Sequence, residues 1–134
     1  MQIDTIIVPG ANVMLPRRSV FLVCIGAFAA YVMIVPAVIA HVSAWIFEQV
    51  YFRILDIPLV RMRDHIVLDR WNVPRLNLFQ RFNCVYCDYV NGLASWLKAV
   101  VNRTELYSCA IKHTSHRSGQ EHQEGYASSE KGNV

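Results

Sequence analysis

The chain has 134 residues, 54% of them hydrophobic and 17% charged, with a formal net charge of +3. That length allows one small folded domain with appendages. Arg53, Arg61, Arg63, Arg70, Arg75 and Arg81 are interleaved with Asp56, Asp64 and Asp69, which argues against a nucleic-acid-binding stripe and suits contact with membrane headgroups.

Residues 1–18 form a short N-terminal segment of mixed character, with a turn signal at Pro9-Gly10. From Ser19 to Phe47 there is no Asp, Glu, Lys or Arg. The part from Ser19 to Ala40 alone reaches roughly 33 Å as a helix, against a hydrocarbon layer of about 30 Å, so 19–47 is read as one transmembrane helix. Pro36 is compatible with a kinked membrane helix; a hairpin that re-enters the same face at Pro36 is the alternative. A cleaved signal peptide fits less well, because apolar character continues past the small-residue stretch at Ala37 to His41. Cys24, in mid-run, reads as a small apolar packing residue.

Residues 48–73 are read as interfacial amphipathic helices. Val50, Ile54 and Ile57 recur at helical spacing with Arg53 and Asp56 between them, and Trp45, Tyr51 and Phe52 suit the aromatic belt. Pro58 interrupts, and an amphipathic pattern resumes from Leu59 to Trp71. Although Arg17 and Arg18 precede the span, the arginines after it favour a cytoplasmic C-terminal part.

Residues 74–113 carry the one constellation with definite chemistry. Tyr89 to Tyr107 predicts a helix, with Leu93, Trp96, Leu97, Val100 and Val101 on one stripe. On one side of it stand Cys84 and Cys87 as C-V-Y-C; on the other, Cys109 and His113 as C-A-I-K-H. Each pair has the local spacing of a closed tetrahedral metal site, and His116 could replace His113. Zinc suits such ligands; iron, including a two-iron, two-sulfur cluster, is the alternative. About forty residues hold a core poorly unaided, and a structural metal contributes folding free energy on the order of ten kcal/mol. A helix over 89–107 would be about 28 Å long, so it must shorten, or break near Asn91-Gly92 or Asn102, before all four ligands meet. The acceptor-like Asn102-Arg103-Thr104 lies inside that helix and is read as an ordinary helical stretch. Residues 114–134, rich in Ser, Gly, Gln and Glu, are read as a disordered tail.

From Asn83 to His113 the chain resembles a family of small, uncharacterised bacterial membrane proteins with an apolar N-terminal half. The segments that carry the resemblance are N-C-x-Y-C-x-Y-x-N-G, then R-T-E-x-Y, then C-x-I-K-H. Asp88 stands where that pattern has Gly. The resemblance implies that Cys84, Cys87, Cys109 and His113 form one set, surrounded by Tyr86, Asn91, Arg103, Glu105 and Lys112. It implies no particular role.

The expectation is therefore a mostly α protein with one transmembrane helix, interfacial amphipathic helices and a small metal-stapled helical module with three Cys and one His. It would sit in a bacterial inner (cytoplasmic) membrane, touching lipid and other membrane-protein subunits but no nucleic acid. The role expected is a non-enzymatic accessory or assembly subunit of a larger membrane complex. An iron-containing electron-transfer subunit is the alternative, and a membrane-bound thiol enzyme or metal chaperone is a third reading.

Overall fold

The computed structural model describes residues 19–69, 78–115 and 118–128. The N-terminal segment, residues 70–73 of the expected interfacial helices, residues 74–77 of the expected metal module, His116 and residues 129–134 of the expected tail lie outside them. The described chain is mostly helical, with no strand beyond one isolated parallel bridge between Ile111 and Ala127.

The apolar run forms helix α1 (Val20–Val32) and helix α2 (Ile34–Phe47), separated by one turn residue, Met33. Pro36 explains the interruption. It has no N–H to offer the carbonyl of Val32, so the ladder breaks there and resumes with the Ala37 N–H on Met33 O at 3.2 Å. The helix then widens into a π segment, Glu48–Phe52. Asp56 ends it in a left-handed conformation (φ 55), which Asp tolerates better than most residues, and the Ile57 N–H closes onto Phe52 O at 2.7 Å. Cys24–Phe52 is the one helix among the described residues long and apolar enough to cross a membrane; a signal sequence near an N-terminus passes the same test.

The interfacial helices expected over 48–73 are largely replaced by something else. Residues 57–69 are irregular except for one 3-10 turn, Met62–Asp64. Pro58 stops a helix from continuing, and the backbone polar groups that follow bond to side chains: Val60 N–H to Glu48, Val60 O to Trp96, and the carbonyls of Pro58 and Leu59 to Arg103.

Helix α3 (Leu78–Ser108) runs unbroken for 31 residues. Its partners on the first helix advance in the same direction: Tyr86 meets Ala30, Tyr89 and Trp96 meet His41, and Ser108 meets Tyr51. The two helices are therefore parallel neighbours. Residues 57–66 return between them in the opposite sense, passing Arg103 first, then Trp96, then Gly92. Phe52, Ile57, Val60, Leu93, Trp96 and Val100 make the buried core, with Ala37 and Ala44 packed against it. Three of the five residues of the expected stripe are buried; Leu97 is half-buried and Val101 exposed. Asn91-Gly92, which resembles a turn signal in the sequence, lies inside α3. A Cβ on Gly92 would stand 2.7 Å from His65 O and 2.8 Å from Ile66 Cα, so glycine is what lets the return segment approach.

The tail also departs from expectation. Residues 118–128 fold back on α3, with a 3-10 turn at Glu121–Gly125 and Gln123 only 2% exposed. Polar residues order this segment through hydrogen bonds, a route that apolar content does not reveal.

Candidate functional site

Cys84 and Cys87 stand in the first third of α3, the first half-buried and the second exposed, while Cys109 directly follows its last residue and is exposed. Because α3 does not break, Cys87 and Cys109 are held about 33 Å apart by the rise of the helix. The break expected near Asn91-Gly92 or Asn102 is absent. Helical spacing makes Cys84 and Cys87 neighbours, while Cys109 and His113 lie in the non-helical stretch beyond the far end of α3, so the two pairs are not brought to one ion. Among the described residues no three His, Cys, Asp or Glu side chains are grouped to hold a metal.

The residues that the resemblance places around the cysteines turn out to be struts. The Tyr86 hydroxyl donates to Ala30 O on α1 at 2.5 Å. Arg103 donates to the carbonyls of Pro58 and Leu59 at 2.9 and 3.2 Å, fastening the return segment. Asn91 donates to Cys87 O within its own helix at 2.9 Å. Glu105 receives the Gln123 amide at 2.6 Å and pairs with His122 Nε2 at 3.0 Å, which docks the tail. The Lys112 backbone N–H donates to Ala127 O at 2.8 Å, and the His113 backbone N–H to Gln123 Oε1 at 3.2 Å. Tyr126 completes this clasp, its hydroxyl donating to Asn102 O at 3.4 Å. Burial, and then the negative charge of Glu105, hold its pKa above the ordinary tyrosine value.

Two functional positions stand out only in three dimensions. His41, the one ionisable residue of α2, contacts the Tyr89 hydroxyl through Nδ1 at 2.9 Å and lies 5.7 Å from the Trp96 ring. Glu48 is 2% exposed, and its carboxylate accepts the Val60 N–H at 2.5 Å. The π turn brings both Glu48 and Phe52 inward. The available signal was the position of each group: an ionisable residue in or beside an apolar run has to face a partner rather than lipid. Tyr31–Asn83 and Tyr51–Ser108 (2.9 Å) extend the same polar seam toward both ends. These groups are arranged to hold helices together, and the Ser95 hydroxyl likewise ties α3 to His65 Nδ1 of the return segment at 2.9 Å.

Apart from Ser43, the remaining surface of α1 and α2 is built of apolar and aromatic side chains. Phe21, Phe28 and Ile39 are 70%, 72% and 61% exposed, and no part of the most apolar window is buried. Beyond it, Ile46, Phe47, Val50, Tyr51, Ile54 and Leu55 line an open, wholly apolar groove of about 440 Å³. No family model, curated protein or solved structure matches the chain.

Proposed function

We propose that this protein is a membrane-attached, non-catalytic accessory or assembly subunit. The observation that carries the reading is the surface of α1 and α2, where small and polar side chains face α3 and large apolar ones face outward. Ala37, His41, Ala44 and Glu48 point inward, while Phe28, Val35, Ile39 and Ile46 are exposed. Exposure of that much contiguous apolar surface marks contact with lipid or protein, and close packing through small residues is how membrane helices associate. The docking role rests on the apolar groove from Ile46 to Leu55, at the end of the helix, where a neighbouring subunit has a surface to fill. The resemblance points to a bacterial cytoplasmic membrane. Exposed Arg53, Arg61 and Arg63 accord with a polar layer on its cytoplasmic side.

Membrane fractionation followed by mild solubilisation and affinity purification tests both parts. The chain is expected in the membrane fraction after a high-salt wash, and at stoichiometric ratio with another membrane protein. Recovery in the soluble fraction overturns attachment; a purified chain that migrates alone overturns docking.

A further inference from the structure

We infer that the apolar helix lies in one leaflet, along the membrane plane, and does not cross the bilayer. This rests on the membrane-attachment reading and specifies its geometry. Helix α3 joins the first helix at Ala30 and Tyr31 and accompanies it as far as Tyr51. Only residues 19–29 precede that junction within the described chain. Eleven residues reach about 16 Å, roughly half the thickness of a hydrocarbon core. A crossing placed further along Cys24–Phe52 carries α3 and the return segment into the bilayer with it.

That cargo is unsuited to hydrocarbon. His65 O lies against Gly92, Val60 O receives the Trp96 indole, and the Trp96 ring lies tilted beside His41, close to the middle of Cys24–Phe52. The return segment at this level has irregular backbone, and Arg61, Arg63 and Asp64 on it are exposed. Lipid-exposed irregular backbone is not found in the hydrocarbon region, because unsatisfied amides cost several kcal/mol each. Exposed Asn91 and Lys98 on α3 would enter as well, and membrane-buried charges are expensive.

Turning the helix into the plane removes the conflict. Phe21, Ile25, Phe28, Val35, Ile39 and Ile46 are exposed and lie in a stretch that contains no charge. They are spaced three, four or seven residues apart and so share one side of a helix. About 40 Å of this side can enter the acyl region while α3, the return segment and the tail clasp remain in water. The occupant of this face is the acyl layer of an anionic membrane; Arg53, Arg61 and Arg63 supply the complementary charge for its headgroups.

The test uses the full chain with one epitope tag at each end, in membrane vesicles of uniform orientation, with protease added outside. Both tags are expected to share one fate: both lost in one vesicle orientation and both retained in the other. One tag lost and the other retained in the same vesicles overturns the in-plane geometry while leaving membrane attachment intact. A chain recovered without its N-terminal tag before protease is added also overturns it, because the helix was then a cleaved signal. A chain absent from the vesicles overturns the attachment reading itself.

Discussion

Helix α3 and the paired helices α1 and α2 run side by side over comparable lengths, yet they sort their side chains by opposite rules. Over its middle, helix α3 buries Leu93, Trp96 and Val100 and exposes Asn91, Ser95 and Lys98, as a helix bordering water does, while Phe82, Val101 and Leu106 are exposed on either side of that stretch. Helices α1 and α2 turn Ala37, His41 and Ala44 toward α3 and expose Phe28, Val35 and Ile39. On the membrane-attachment reading proposed above, the two faces of this two-helix unit meet different solvents. This difference also explains why hydrogen bonds concentrate in the seam: His41 and Glu48 belong to the apolar helix and must be satisfied by Tyr89 and the Val60 amide before the outer face can meet lipid.

The comparison can be broken from either side. Trp96→Ala strikes the inner face of α3. Removing a fully buried indole and its bond to Val60 O costs about 3–5 kcal/mol, seen as a large fall in the thermal midpoint by circular dichroism. Ile39→Arg strikes the outer face of α2 and is expected to leave that midpoint nearly unchanged. A charge in hydrocarbon costs about 2–3 kcal/mol, so partitioning onto anionic vesicles should fall about 30- to 150-fold in a flotation assay. Equal effects of the two variants on folding would end the two-solvent account. Glu48→Ala, which strands the buried Val60 N–H, should cost about 1–3 kcal/mol, whereas Glu48→Gln keeps an acceptor and most of the stability in the same melt. The smallest effect belongs to the clasp. Glu105→Ala should cost about 1 kcal/mol or less at this partly exposed site, and hydrogen exchange should quicken in 118–128 while the amides around Trp96 keep their protection.

Much of the helical framework was legible in the sequence. The uncharged run from Ser19 to Phe47 and the stripe Leu93, Trp96, Val100 follow directly from hydropathy and period. The return segment and the clasp were not, because Val60, Pro58 and Leu59 are held through backbone atoms, and Gln123 through amide bonds, neither of which has a periodic signature. For the cysteines, spacing suggested two local pairs on either side of one helix. It carried no information on whether the helix between them breaks, and Gly92, a turn signal in isolation, serves close packing inside α3. A four-ligand metal site would require an opened α3 or a second chain supplying the other pair, and elemental analysis of the purified protein would reveal it as bound zinc or iron.

The most direct test of the account is a depth measurement on two labels in vesicle-bound protein. In a chain with its native cysteines replaced by serine, nitroxides at Ile39→Cys and Asn91→Cys are compared for collision with oxygen, which concentrates in acyl chains, and with a water-soluble nickel chelate. The account predicts that position 39 responds to oxygen and is shielded from nickel, while position 91 does the reverse. Equal nickel access at both positions would contradict a lipid-facing helix, and equal shielding at both would contradict a water-facing α3.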